Sequence, residues 1–212
     1  MCNPMLQRIR NIAHSYFHIH IIIMQNYLHP IGDDLILTLG QNTTEQGRNS
    51  GLQISLFNVS NFSDPVRTNQ YVEDASRSTS DAQFDHKAFR YLPESKLLIL
   101  PLSIPSFCGA SDYQSKFFDG FVVYDVDETR DFTKKFNISH VGPKNACHGC
   151  WSRDELPSRS MVYDGNVMTL KGHTVLSHVL SNETFRWDMN LDKNSENQNA
   201  FCLPWRTPVF SF

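Results

Sequence analysis

The sequence predicts an all-β fold assembled from tandem four-stranded antiparallel units. Its apolar runs are short and are separated by clusters of Gly, Pro, Asn, Asp and Ser, which is typical of strands joined by turns. Aromatic residues make up 12% of the chain, with 15 Phe and 7 Tyr, and aromatic side chains favour half-buried strands. The same strand order recurs three times, with equivalent second strands at Leu35, Leu97 and Val167. A repeated meander is therefore expected over most of the chain.

Length and charge exclude some classes of protein. A chain of 212 residues is long enough to bury a hydrophobic core without disulfides or metals. The net charge of -3 comes from 19 basic and 22 acidic residues, and no basic run could follow a phosphate backbone. Nucleic acid is therefore not expected as a partner.

The first repeat unit covers residues 27–75. Its second and third strands are apolar and alternating, and they flank a polar loop at 40–50 that is rich in Asn, Thr and Gly. Turn residues separate the remaining strands. The four expected strands are 27–32, 35–39, 52–57 and 66–72.

The second unit covers residues 82–141. The near-continuous apolar run from Leu97 to Leu100 predicts a strand that is covered on both faces. A long loop at 103–119 follows this strand. The four expected strands are 86–91, 96–102, 120–126 and 132–140.

The third unit covers residues 157–191 and follows a loop at 141–158. Asp164, Gly165 and Asn166 supply the positive φ angles that a tight hairpin needs. The expected strands are 159–163, 167–170, 174–180 and 184–191, and no element is assigned to the tail at 192–212.

Three meanders in tandem predict part of a β-propeller. Each four-stranded blade has a face that only a neighbouring blade can cover, and known rings contain at least about four blades. About three blades therefore make an incomplete ring. The chain is expected to be a piece of a larger propeller or an open stack of sheets.

Residues 1–26 differ from the repeats and are expected to form an N-terminal tail or weak hydrophobic segment. Arg8 and Arg10 precede the apolar patch at 19–24, as in a signal peptide or membrane anchor. The patch is too short to cross a bilayer, so no integral membrane span is expected.

Five cysteines leave at least one without an intramolecular partner, and Cys2 is the expected odd one. A C-x-x-C pair such as Cys147 and Cys150 can bind zinc, act as a redox dithiol or form disulfides. The sequence lacks a second pair at zinc spacing and a helical α/β frame for redox chemistry. Structural disulfides in an oxidising compartment are the favoured interpretation, with Cys108, Cys147, Cys150 and Cys202 as candidates.

Five Asn-x-Ser/Thr sequences are candidates for N-glycosylation, and all lie beside expected turns or strand ends. Together with the cysteines they favour the secretory pathway and an extracellular or cell-surface location. The acceptor residues are Asn42, Asn58, Asn61, Asn137 and Asn182.

Three histidines occur at or near comparable points of successive units: His29, His86 and His140. If their strands face a central channel, the imidazoles could converge and bind a metal or another ligand. Alternatively each is structural and hydrogen-bonds a neighbouring turn or backbone carbonyl. Asp85 could orient the His86 ring in either case.

A family resemblance is carried by Y-L-H-P-I-G-D-D-L-I-L-T-L-G-Q, by Y-L-P-E-S-K-L-L-I-L-P-L, by F-D-G-F-V-V-Y-D-V-D and by R-S-M-V-Y-D-G-N-V-M-T-L. These segments resemble a family of secreted proteins whose C-terminal β-propeller is distantly related to WD repeats. The resemblance covers residues 27–191. It implies a secreted or surface-attached propeller in which further blades precede this region, and it transfers no catalytic residues.

Two functions follow as hypotheses. The first is a non-enzymatic propeller that binds protein or glycan ligands through the loops at 40–50, 103–119 and 141–158, because loops on a rigid scaffold commonly carry recognition. The second is a hydrolase or metal-dependent enzyme with a site at the propeller channel, built on the three histidines and Asp85. Propellers host both kinds of protein. The sequence presents no catalytic constellation and no motif for a cofactor.

Overall fold

The computed structural model describes residues 23–61, 63–73, 77–104, 118–127, 132–140 and 157–191. These residues form twelve strands in three four-stranded antiparallel sheets, and each sheet follows the order of the chain. The all-β prediction is confirmed.

The first sheet consists of β1 (Ile23–Ile31), β2 (Leu35–Thr43), β3 (Asn49–Asn58) and β4 (Val66–Val72). β1 begins inside the segment expected to be a tail. The loop predicted at 40–50 is largely strand, because β2 and β3 stay paired as far as Thr43 and Asn49. Backbone pairing can continue through polar residues, so the Asn and Thr content overstated the length of this loop.

The second sheet consists of β5 (Arg90–Leu92), β6 (Leu97–Ile104), β7 (Phe118–Asp125) and β8 (Thr133–Ser139). The strand predicted at 86–91 is wrong in its first half, where the backbone forms a 3₁₀ turn, His86–Ala88, after another at Asp81–Gln83. Local capping explains the difference. The Asp85 side chain accepts the Lys87 N–H, and Ser80 with Gln83 forms a capping box.

The third sheet consists of β9 (Arg159–Tyr163), β10 (Asn166–Lys171), β11 (Thr174–Val179) and β12 (Phe185–Asn190). The β9–β10 hairpin turns at Asp164 and Gly165, whose φ angles are 47° and 70°. Positive φ at both central residues matches the right-handed twist of the paired strands. The hairpin predicted from the Asp-Gly pair is confirmed.

The second sheet lies between the other two and is covered on both faces. Alternate residues of β6 enter separate cores: Leu98, Leu100 and Leu102 pack with the first sheet, while Leu97 and Ile99 pack with the third. β7 behaves in the same way, with Val122 on one side and Phe121 on the other. Burial on both faces is the reason for the uninterrupted apolar run in β6.

The three sheets repeat one register irregularity. In each sheet a β-bulge interrupts the pairing of the third and fourth strands, at Leu56/Phe57, Val123/Tyr124 and Ser177/His178. A bulge increases the local twist of the strand. Its recurrence aligns the three sheets residue by residue as copies of one unit.

The described residues include no helix long and apolar enough to cross a membrane.

Gly120 in β7 provides a test of this packing. A Cβ atom at this position would lie 2.0 Å from the backbone oxygen of Ile138 on the neighbouring strand. We expect Gly120→Ala to force β7 and β8 apart and to lower the free energy of unfolding by about 1–3 kcal/mol, the usual cost of overpacking. Urea denaturation would measure this change. Lys135→Ala, at an exposed position of β8, is the control and should leave the midpoint almost unchanged; equal midpoints for both variants would contradict the structure.

Candidate functional site

The two ends of the sheets differ in their connections. At one end, which we call the turn end, short turns join β1 to β2, β5 to β6 and β9 to β10. At the opposite end, which we call the loop end, β6 stops at Ile104 and β7 resumes at Phe118, and β8 stops at Ser139 before β9 begins at Arg159. The two longest connections between strands of the second and third sheets therefore leave from the loop end.

Charged and polar side chains meet at the loop end, between the second and third sheets. Lys171 Nζ lies 2.8 Å from Asp119 Oδ1 and 3.2 Å from Ser103 Oγ. Ser103 Oγ also donates to Asp119 Oδ1 at 2.5 Å. Lys171 is only 15% exposed, so little water screens the ion pair. We call Ser103, Asp119, His140, Thr169 and Lys171 the charged cluster.

His140 joins the charged cluster through both its backbone and its ring. Its N–H donates to the Asp119 carbonyl at 2.9 Å, and its Nε2 lies 2.8 Å from Thr169 Oγ1 on the third sheet. The ring packs against Phe121, while Nδ1 is buried and has no hydrogen-bond partner among the described residues. Burial, with Lys171 and His178 nearby, lowers the pKa of His140 to about 4. The imidazole is therefore neutral at physiological pH.

Arg159 and Ser158 fix the start of the third sheet at the loop end. Arg159 Nη1 lies 2.6 Å from Asp85 Oδ2, and Ser158 Oγ donates to Asp81 Oδ2. Asp85 also accepts the Lys87 N–H at 2.9 Å, and these contacts, the Lys87 bond above all, lower the pKa of its carboxyl. Asp85 thus binds Lys87 and Arg159, while the neighbouring His86 is exposed on its 3₁₀ turn.

His29 lies elsewhere. It pairs with Leu37 in the β1–β2 hairpin, near the turn end, and its ring packs 4.9 Å from Phe89 and 5.9 Å from Tyr91. Burial lowers its pKa. This is an aromatic contact between the first and second sheets.

The three histidines therefore have different surroundings. Within the described ranges, no three His, Cys, Asp or Glu side chains form a group that could hold a metal ion. A role for His29, Asp85, His86 and His140 in binding some other ligand remains a prediction.

The glycosylation candidates all lie on described residues, and none is fully buried. Asn58 is the last residue of β3, and Asn61 and Asn182 lie in connections. All three are at the turn end, and each side chain accepts the N–H of the Ser or Thr two residues later. Asn42 donates to Ser50 Oγ at 2.6 Å, and Asn137 is exposed on β8. Modification of these residues stays a prediction. The cysteine candidates Cys108, Cys147, Cys150 and Cys202 lie outside the described residues.

A groove of about 420 Å³ opens at the turn end between the second and third sheets. Its lining mixes charged and apolar side chains, including Lys135, Asp164, Arg186 and Leu180. The loop end is the stronger candidate, because the Lys171–Asp119 and Arg159–Asp85 ion pairs and both long connections lie there.

The sequence did not indicate the charged cluster. Ser103, Asp119 and Lys171 belong to three strands from two sheets, and no local motif links them. The one available signal was their position at strand ends: Lys171 is the last residue of its strand, Ser103 the next to last and Asp119 the second.

The Lys171–Asp119 pair should show an asymmetric response to substitution. Asp119→Asn leaves the largely buried Lys171 ammonium without its counter-charge, so we expect a loss of about 1–3 kcal/mol in the free energy of unfolding. Lys171→Met leaves the more exposed Asp119 with its Ser103 hydrogen bond, so the loss should be below about 1 kcal/mol. Urea denaturation of both variants would show which substitution lowers the free energy of unfolding more. Glu94→Gln, in an exposed turn, is the control, and a larger loss for Lys171→Met would contradict the assignment.

The buried neutral state of His140 predicts a pH dependence. The pKa of His140 is near 6.5 in the unfolded chain and about 4 in the fold. At pH values between these two, the unfolded state binds more protons than the native state. Stability should therefore fall as the pH drops from about 7 towards 4.5. His140→Gln, which can keep the bond to Thr169, should reduce this slope in urea denaturation at several pH values. His173→Gln, at an exposed position, should leave the slope unchanged; equal slopes for the wild type and His140→Gln would rule out the effect.

Comparison with known proteins identifies the repeat. No curated protein matches the chain. The family model described as a beta propeller domain matches residues 24–182, which is more than half of the chain and includes strands of all three sheets. The chain therefore belongs to the beta propeller domain family, and its three sheets are four-stranded blades of a partial β-propeller.

Proposed function

We propose that this propeller chain is a non-enzymatic scaffold that binds a protein or glycan ligand through its loop end. The observation that carries the proposal is the position of the two long connections, 105–117 and 141–156, which leave and re-enter the sheets beside the charged cluster. Loops held at both ends by a rigid scaffold are common recognition surfaces.

The anchoring of these connections supports the proposal. The first begins after Ser103 and ends before Asp119, and both residues bind Lys171. The second begins after His140 and ends before Ser158, which is bonded to Asp81. Each connection thus starts and finishes next to side chains that are tied to a neighbouring blade.

The glycosylation candidates divide between the two ends. Asn58, Asn61 and Asn182 lie at the turn end, whereas Asn42 and Asn137 lie in the loop-end halves of β2 and β8. Cys108, Cys147 and Cys150 lie in the two long connections by sequence. Disulfides among them would form in an oxidising compartment and would stiffen the loops. We therefore propose an extracellular or cell-surface location.

The enzymatic alternative is less well supported. It needs His29, His86 and His140 at one point, whereas His29 lies near the turn end among aromatic rings and His140 lies at the loop end against Thr169. No observation on the described residues favours a particular reaction.

The proposal predicts ligand binding that depends on the loop end. Purified chain would be screened on arrays of oligosaccharides and of extracellular protein domains, and each hit would be measured by surface plasmon resonance. Replacing residues 106–116 with a short Gly-Ser linker should abolish binding of the hits, because it removes contact surface. Inserting Gly-Ser-Gly between Glu94 and Ser95, in the exposed turn of β5 and β6, is the matched control and should not change affinity. An array without hits, or hits that survive the loop replacement, would contradict the proposal.

A further inference from the structure

The third sheet packs on the second sheet with one face, and its other face is open among the described residues. Val167 enters the core shared with the second sheet, and Thr169 binds His140 across the same interface. Because side chains alternate along a strand, Met168 and Leu170 lie on the other side of the sheet. We call this side the outward face. The register of the strands assigns to it Met161, Met168, Leu170, Val175, Trp187 and Met189.

The outward face is apolar over two rows that cross the sheet. Trp187 and Met189 are 42% and 52% exposed. The remaining positions of the two rows are Ser177, which is buried, and Arg159 on the edge strand, whose guanidinium is held by Asp85 at 2.6 Å. An apolar surface of this kind commonly marks a contact.

The repeated bulge shows which surface the outward face corresponds to. Counting along the fourth strands from the bulge, Trp187 is the counterpart of Phe136 in the second sheet. Met189 is the counterpart of Ile138 and, in the first sheet, of Tyr71. Phe136 and Ile138 are 7% and 0% exposed, because the third sheet covers them, and Tyr71 packs on the core shared with the second sheet. In both earlier copies the cover is therefore provided by the chain that follows the fourth strand.

The chain that provides the cover arrives after a nearly constant number of residues. β5 begins 18 residues after the end of β4, and β9 begins 20 residues after the end of β8. These first strands contact the preceding sheet, since Tyr91 of β5 packs on the first core and Val162 of β9 packs on the second. The same number of residues counted from Asn190, the last residue of β12, leads to residues 208–210.

The sequence after β12 has the composition that such a cover needs. Residues 192–199 are all polar, whereas residues 200–212, A-F-C-L-P-W-R-T-P-V-F-S-F, include ten apolar residues. We call residues 200–212 the apolar tail. Eight extended residues reach at most about 28 Å. Packed layers lie only about 10 Å apart, so the polar segment is long enough to carry the apolar tail from the end of β12 onto the outward face.

We propose that the apolar tail of the same chain covers the outward face as a single extended strap. Its aromatic side chains Phe201, Trp205 and Phe210 pack on the two apolar rows. Pro204 and Pro208 cannot donate to a strand ladder and favour an extended segment whose backbone stays hydrated, so the strap needs no further strands. It acts as the cap that the last unit of a repeat stack requires. The contact uses a sheet face and not the loop end, so it does not depend on the proposed ligand binding.

Methionine oxidation by dilute peroxide, followed by mass spectrometry, tests the cover in a dilute sample of the full chain. The full-length variant with both Trp205→Ser and Phe210→Ser loses two anchors of the strap, so Met161 and Met189 should be oxidised at least severalfold faster in it than in the wild type. Far-UV circular dichroism of the variant checks that the sheets remain folded. Asn194→Ser with Asn197→Ser, in the polar segment, is the matched control and should be oxidised like the wild type.

Photo-crosslinking identifies what lies on the outward face. Benzoylphenylalanine in place of Trp205 should form crosslinks to residues 159–170 and 185–190, in a product with the mass of one chain. The same group in place of Leu28, which is 46% exposed on the first sheet, should give no crosslinks to the third sheet.

Three outcomes would overturn the proposal. One is equal oxidation of Met161 and Met189 in the wild type and in the folded Trp205→Ser, Phe210→Ser variant. Another is crosslinking to the third sheet only in products with the mass of two chains, which would assign the outward face to the tail of a second copy. The last is crosslinking from position 205 to the first sheet or to the loop end in place of the third sheet.

Discussion

The second sheet can exist only when both of its faces are covered, and the rest of the structure depends on this constraint. β6 and β7 send aliphatic and aromatic side chains into two separate cores, and residues such as Leu98, Ile99 and Phe121 have no exposed surface. Removing side chains of this size from water contributes roughly 1.5–3 kcal/mol each. Neither the first nor the third sheet alone can provide both covers, so all three blades must be stacked before the central strands are stable.

This constraint separates the packed faces of the sheets from the ends of the strands. The faces of the sheets are used for stacking, and a bulge recurs at one position of each fourth strand. The ends of the strands carry the variable features. A Lys–carboxylate pair bridges each blade interface, Lys134 with Glu73 and Lys171 with Asp119, at 3.2 and 2.8 Å. Each pair ties two neighbouring blades together through one lysine and one carboxylate.

Much of the fold could be predicted because its signals are local. Alternation along strands, Asp-Gly in a hairpin and the unbroken apolar run of β6 each report on a few consecutive residues. The 3₁₀ turn at His86–Ala88 was missed because a side-chain cap at Asp85 outweighed the strand pattern. The charged cluster could not be foreseen, since Ser103, Asp119 and Lys171 meet only after two blades have stacked. The histidines could not be placed from sequence either. His29 and His140 occupy similar positions in successive sequence units, yet they lie near opposite ends of the sheets.

The unequal coverage of the blades has a consequence for how the chain opens. In tandem-repeat folds stability depends on each unit and on its contacts with immediate neighbours, so units with fewer contacts can unfold separately. The third blade has one covered face, and every residue of β12 is exposed. Opening of this blade would break one set of interblade contacts, whereas opening of the middle blade would break two. Fluctuations should therefore start at β12 and spread inwards, giving this propeller piece a gradient of local unfolding that rises from its centre towards the third blade.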